Sequence, residues 1–239
     1  MSTVSLRTTL VLASASSLFV LSNACSSDDA PATTPSGTEA GLDGLDAGLD
    51  VAKEAAKVLA DGLIDPIPYL SRADSPFNGV SFPSYFHLED WEDGLVNTPG
   101  VTPSSTDTGA TYGTLVDSVD GDDGVVDGKC SKDGGLCNSG FSNSAFSFTF
   151  DATVLGALPT HVGIAWTDGN ADCDATFEAF DANDVSLGKR TAVKVGDSSN
   201  SGTVAEDRFF GIVSSAGIKK IVVSNSAGGV EVDHLQYGR

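Results

Sequence analysis

Oxygen-bearing side chains recur at every second position of residues 168–174, the spacing that a calcium loop requires. They belong to Asp168, Asn170, Asp172 and Asp174. A curled loop points such side chains inward, and Ca²⁺ takes about six to eight oxygen ligands. The loop departs from the EF-hand pattern, because Cys173 replaces the turn glycine and Ala179 stands where a bidentate acid belongs. The spacing therefore predicts either a calcium loop or a solvated acidic hairpin loop.

A second acidic stretch covers residues 117–128, of which residues 117–127 contain five aspartates. So many neighbouring carboxylates repel one another unless water or a bridging cation separates them. The stretch fits no strict calcium-loop register. Solvation and cation binding both remain open for it.

The charge of the whole chain excludes one class of partner. Thirty-three acidic residues face 13 basic ones, which gives a net charge of −20. Such a surface repels the phosphate backbone of DNA and RNA, so no nucleic acid is expected as a partner.

Signals of catalysis are weak. The chain contains no GxSxG, no HExxH and no phosphate-binding glycine loop. His87 and His234 lie in the opening and closing strands and could approach each other, but histidines with a purely structural hydrogen bond are more common. We therefore expect a protein that is not an enzyme.

Aromatic side chains could stack on sugar rings if they are exposed. Trp166 continues the apolar face of Val162 and Ile164 and is expected in the core. Trp91 and Tyr112 lie in less regular stretches and are the candidates for ligand binding, with packing at a sheet edge as the alternative.

The chain has four cysteines, Cys25, Cys130, Cys137 and Cys173. Cys130 and Cys137 enclose a short loop with two glycines, which makes a disulfide between them sterically easy. Cys173 is then unpaired, unless it bonds to one of the two in place of the other. A zinc site is poorly supported, because no CxxC occurs.

Alternation with a period of two dominates from about residue 69 onwards. Residues 146–150 place three Phe on one face, and residues 176–187 contain two such runs around a turn. About eight runs recur at intervals typical of an antiparallel sandwich. Two packed sheets with the first and last strands brought together predict an all-β jelly roll over residues 69–239.

The residues before this domain predict export and attachment. Residues 1–24 have the form of a signal peptide, with Arg7 before a short apolar run. Residues 25–50 are polar and glycine-rich and predict a flexible tether, and residues 51–68 predict a short helix ending near Gly62 and then a proline-rich linker.

Ala24 and Cys25 resemble the lipobox of bacterial lipoproteins, in which the cysteine is lipidated, although Ser22 and Asn23 depart from its usual residues. The alternative is an ordinary signal peptide that leaves Cys25 as a plain thiol. The resemblance implies a lipid anchor that holds the protein in the cell envelope. Ser26, rather than Asp, after the cysteine favours the outer membrane.

Four segments resemble a family of exported bacterial domains found in surface lipoproteins and in proteins with PEP-CTERM sorting tails. They are residues 86–95, 158–169, 205–211 and 230–238. The family is similar in architecture to galactose-binding-like and carbohydrate-binding-module jelly rolls. The resemblance implies a fold and a cell-surface location but no activity.

In carbohydrate-binding jelly rolls a structural calcium often joins the first and last strands. The resemblance implies that Glu92, Asp93 and Asp233 are the metal ligands to test. We therefore expect a non-catalytic surface lipoprotein that binds carbohydrate or another envelope polymer, with calcium as structural support. The alternative is a structural or adhesion module without a small ligand, and a hydrolase is the least favoured.

Overall fold

The computed structural model describes residues 58–91, 93–108, 139–197 and 205–239. Within these ranges the chain forms strands, turns, one 3-10 turn at Arg72–Asp74 and one helical turn, α1 (Ala152–Leu155). The strands are β1 (Leu63–Pro68), β2 (Phe86–Glu89), β3 (Val101–Pro103), β4 (Asp107–Thr108), β5 (Gly140–Ser142), β6 (Phe146–Phe150), β7 (His161–Asp168), β8 (Ala175–Phe180), β9 (Ser186–Ala192), β10 (Arg208–Val213), β11 (Lys220–Asn225) and β12 (Val230–Gly238). No helix in this part of the chain is long and apolar enough to cross a membrane.

The strands form two antiparallel sheets. The seven-stranded sheet has the order β1-β10-β7-β12-β5-β4, with β2 also paired to β12, and the five-stranded sheet has the order β3-β6-β11-β8-β9. Eight of these strands give the orders β2-β12-β7-β10 and β6-β11-β8-β9, which is the strand order of a jelly roll. The predicted antiparallel jelly-roll sandwich is confirmed, with four further strands at its edges.

The core between the sheets follows from period-two alternation. Phe146, Phe148 and Phe150 of β6 all point into it, as the sequence predicts, and Trp166 of β7 is fully buried there. Phe177 of β8 stacks on Phe210 of β10, with ring centroids 6.1 Å apart, and so joins the two sheets. Burying such side chains provides most of the free energy that holds two sheets together.

Strand β12 is the centre of the seven-stranded sheet. One of its edges pairs with β7 throughout, while the other pairs first with β5 and then with β2. Its pairing with β2 places Leu235 opposite Glu89 and Tyr237 opposite His87. The sequence predicts this meeting of the opening and closing strands, and the structure confirms it.

A cover segment, residues 69–86, packs over the outer face of the seven-stranded sheet. Its rings lie on Phe209 of β10, with centroid distances of 5.2 Å for Tyr69 and 5.7 Å for Phe77. Phe82 makes an edge contact with His161 of β7 at 5.2 Å. Since this face is covered, side chains on both faces of β12 are buried.

Strand β1 corrects the prediction that residues 51–68 are a helix and a linker. Residues 51–57 lie outside the described ranges, but Val58 bridges to Ile64 and Leu63–Pro68 pair with β10. The two prolines of β1 are tolerated because β1 is an edge strand and its register shifts between Ile64 and Ile67. The sandwich therefore begins before residue 69. The predicted signal peptide and tether lie outside the described residues.

Candidate functional site

The outer face of the five-stranded sheet is the part of the sandwich that the described residues leave open. Its side chains alternate with those of the core, and cross-strand pairs place them in rows across the sheet. All of them are half-buried or exposed. We define this open face as Thr102, Ser147, Thr149, Thr176, Glu178, Phe180, Ser186, Lys189, Thr191, Lys220, Val222 and Ser224.

Hydroxyl groups dominate the open face, and short hydrogen bonds orient several of them. Thr176 and Thr191 face each other across β8 and β9, with their Oγ1 atoms 2.9 Å apart. Ser186 donates to Glu178 Oε1 at 2.7 Å. Side chains that are ordered in this way lose little further entropy when a polar ligand binds.

One aromatic ring interrupts these hydroxyl groups. Phe180 lies opposite Lys220 of β11, whose Nζ atom is 4.5 Å from the ring centroid. Asp184 contributes to this arrangement, with Oδ1 3.6 Å from Lys220 Nζ. Phe180 is thus a half-buried ring with a positioned cation over its face.

The structure places Trp91 in the core, which corrects its prediction as a ligand-binding residue. The side chain is fully buried and makes an edge contact with Phe148 at 5.9 Å. A Cβ atom on Gly140 would lie only 2.8 Å from the indole, which shows how closely β5 packs on it. A ring enclosed in this way cannot stack on a sugar. Tyr112 lies outside the described residues.

One acid of the predicted calcium loop accepts a hydrogen bond from a distant backbone group. Asp174 Oδ1 accepts a hydrogen bond from Lys194 N at 2.9 Å. Asp172 is exposed and adopts a positive φ of 52°, and Asn170 is exposed as well. The remaining member, Asp168, lies at the end of β7 near the acids Glu206 and Asp197.

The strand-closure candidates are likewise occupied by hydrogen bonds where they are described. Asp93 accepts from Leu95 N at 2.9 Å, and Asp233 Oδ1 accepts from His234 N at 2.6 Å. Glu92 lies outside the described residues. Among the residues that are described, no group of three or more His, Cys, Asp or Glu could hold a metal ion.

A neighbouring carboxylate, that of Glu89 of β2, accepts hydrogen bonds from the loop that follows β2. Its two oxygens accept from the backbone N–H groups of Trp91 at 3.2 Å and Asn97 at 2.9 Å, and from both donors of Thr98 at 3.1 Å. The acid therefore fixes Trp91, Asn97 and Thr98 against the end of β2.

The three histidines lie in different surroundings. His87 stacks between Tyr85 and Tyr237, with centroids 5.6 and 5.2 Å away. His234 lies instead in a bulge of β12, at φ 46°, and its Nδ1 atom is 3.0 Å from the Tyr69 hydroxyl. Burial lowers the pKa of each of the three histidines.

A chain of hydrogen bonds connects His234 to the cover segment. Ser75 Oγ donates to Gln236 Oε1, and Gln236 Nε2 donates to the Tyr69 hydroxyl at 2.9 Å. The Tyr69 hydroxyl in turn donates to His234 Nδ1 when the imidazole is neutral at that nitrogen. Burial, with help from the positive charge of Arg72, lowers the pKa of His234 to about 4.

Cys173 is buried, without a disulfide partner among the described residues. Cys130 and Cys137 lie outside those residues, so the predicted disulfide between them stays a prediction.

No protein-family model matches this sequence, and no curated protein is similar to it. A solved structure of TmCBM61 in complex with β-1,4-galactotriose aligns at 14% identity with a TM-score of 0.32, covering 63% of this chain and 95% of that one. The enzymatically active domain of bacteriophage CBA120 tailspike protein 4 aligns at 14% identity with a TM-score of 0.27, covering 65% of this chain and 19% of that one. Similarity at this level supports no inference about function, and the jelly-roll order rests on this chain's own strand pairing.

The open face is the site that sequence reasoning missed. Its signal was present in the same alternation that predicts the core, since Thr176, Glu178 and Phe180 are the outward partners of buried positions. Nothing in the sequence, however, says which of the two sheets has a covered outer face.

Replacing His234 by Gln should flatten the dependence of stability on pH. The unfolded histidine takes up its proton near pH 6.5 and the folded one only near pH 4, so wild-type stability falls as pH falls through that window. At pH 5 the loss is about 2 kcal/mol. Urea unfolding of the wild type and the variant at pH 7.5 and pH 5 measures this loss in the free energy of unfolding. Equal losses in the two proteins would contradict the assigned protonation state.

Asp168→Asn should raise stability at high pH. Burial, together with the charges of Glu206 and Asp197, raises the pKa of Asp168 to about 7. Wild-type stability therefore falls as pH rises from about 4 to about 7, because the folded state resists ionisation. After allowance for partial exposure, we expect the variant to be about 1–2 kcal/mol more stable at pH 8. The difference should vanish near pH 4, and a variant that is less stable at pH 8 would refute this account.

Proposed function

We propose that this protein is a non-catalytic carbohydrate-binding module and that the ligand lies on the open face. The observation that carries the proposal is the difference between the two sheets. The cover segment buries the outer face of one sheet, while the outer face of the other presents rows of Ser and Thr hydroxyls to solvent.

The chemistry of the open face suits a glycan. Sugars are recognised by hydrogen bonds to their hydroxyl groups and by aromatic stacking on their apolar ring faces. Ser and Thr supply the first, and the half-buried Phe180, with Lys220 over its ring, is the aromatic residue of the open face. Neighbouring strands lie about 4.8 Å apart, which is close to the length of one pyranose unit, so consecutive sugars could meet consecutive strands.

The proposal includes the location of the protein in the cell. Cleavage after residue 24 and lipidation of Cys25 would hold the sandwich at the outer face of the cell envelope, where polysaccharides are abundant. The acidic surface, with a chain charge of −20, keeps such a domain soluble and away from nucleic acid.

Phe180→Ala should abolish or strongly weaken glycan binding. Losing one stacking ring costs about 1–3 kcal/mol, which is about a fivefold to 150-fold rise in Kd. A glycan array identifies a ligand, and isothermal titration then compares the variant with Val154→Ala, an exposed residue of α1 that lies off the open face. Unchanged melting temperatures establish that both variants fold. An array without any binding would favour the structural or adhesion module, and equal Kd values would remove the open face as the site.

A structural calcium ion belongs to the same proposal, held by a ligand set that includes residues outside the described ranges, such as Glu92. Calcium should raise the melting temperature by several degrees relative to chelator, since a ligand that binds only the folded state stabilises it. Identical melting curves in calcium and in chelator would contradict a specific site. Asp233→Asn serves as the matched variant, which should lose the shift if the metal joins β2 to β12.

A further inference from the structure

The open face carries a local charge opposite to that of the chain. It contains Lys189 and Lys220 but one acidic residue, Glu178. The chain as a whole has an excess of 20 acidic residues. The open face is therefore positively charged, whereas the chain as a whole is strongly acidic.

Lys189 is available for a ligand. It lies opposite Glu178 in the pairing of β8 and β9, yet it takes part in none of the ion pairs of the described residues. Glu178 instead accepts from Ser186 at 2.7 Å. The Lys189 side chain is exposed on the sheet, so a ligand can reach its ammonium group.

Lys220 is held in place for a ligand. The ring of Phe180 at 4.5 Å and the carboxylate of Asp184 at 3.6 Å restrict where its ammonium group can lie. Lys219 takes the closer contact with Asp184, at 2.7 Å, which leaves Lys220 only partly neutralised. The Phe180 ring thus has the Lys220 ammonium over it, and the exposed Lys189 lies two strands away from Lys220, on β9.

From this arrangement we infer that the ligand of the open face is an anionic polysaccharide whose sugars carry carboxylates. This inference rests on the proposed function and specifies its substrate class. A carboxylate of the polymer can meet the Lys220 ammonium above the Phe180 ring, and a carboxylate further along the polymer reaches Lys189.

The charge density of the ligand explains why a polysaccharide is favoured over a denser polyanion. A uronate polymer carries at most one charge per sugar, whereas duplex DNA carries one charge per ~1.7 Å. The Debye length of about 8 Å at physiological ionic strength screens the remote acids of this chain but not lysines in contact with the ligand. Two local cations can therefore outweigh the repulsion from a distant acidic surface only for a sparsely charged polymer.

Pairs of polymers with the same backbone test the inference. Polygalacturonate and its fully methyl-esterified form differ only in charge, as do alginate and esterified alginate. Binding of the mature chain is measured by affinity electrophoresis and titration in chelator, so that calcium cannot crosslink polymer and protein. We expect the charged form of at least one pair to bind about tenfold tighter than its ester and to weaken as salt rises.

Two variants of equal charge locate the interaction. Lys189→Gln should raise Kd for the charged polymer about threefold to tenfold. Lys194→Gln makes the same change in net charge in the exposed turn after β9, away from the open face, and should leave Kd within about twofold.

The possible outcomes separate the two proposals. Equal binding of acid and ester, or binding that strengthens with salt, would overturn the anionic ligand while carbohydrate binding stands. If the two lysine variants raise Kd equally, the polymer responds to the net charge of the protein and does not bind at the open face. If neither these polymers nor a neutral glycan array gives binding, the proposed function fails together with the inference.

Discussion

The burial of β12 on both faces is the constraint on which the rest of the sandwich depends. This strand carries Glu231, Asp233, His234 and Gln236, and each of them is buried. Buried polar groups are tolerated only when hydrogen bonds replace those they made to water. The cover segment supplies part of that replacement, since Ser75 and Tyr69 bond to Gln236 and His234.

The position of the cover segment also decides which surface of the molecule is available for ligands. One side of the sandwich becomes a second small core in which Phe77, Phe82 and Phe209 interlock. The other side keeps its Ser and Thr residues in contact with solvent. Arg190 of β9 ties the two sides together at one edge, through Asp61 and Asp65 at 2.7 and 3.2 Å from its guanidinium. Exposed ion pairs of this kind contribute little to the free energy of folding, so the packing of the two sheets does not depend on them.

Alternation predicted the strands that face the main core, because each buries one face against the other sheet. Strand β1 was missed because Pro66 and Pro68 usually end regular structure, and only the shift in register with β10 makes them compatible with a strand. Trp91 was misjudged because acidic neighbours surround it in sequence, while Phe148 and Gly140 enclose it in space. Among the acids of residues 168–174, Asp174 bonds to a backbone group that is distant in sequence, Lys194 N. Such competition between a metal and backbone donors cannot be read from spacing.

The pairing of Leu235 with Glu89 connects segments that lie far apart in the chain. Proteins dominated by such distant contacts fold in about milliseconds to seconds, because the loop-closure entropy is lost before the contacts form. This sandwich cannot close until residues 230–238 have been synthesised. During synthesis the sheet therefore lacks its central strand until these last residues join it.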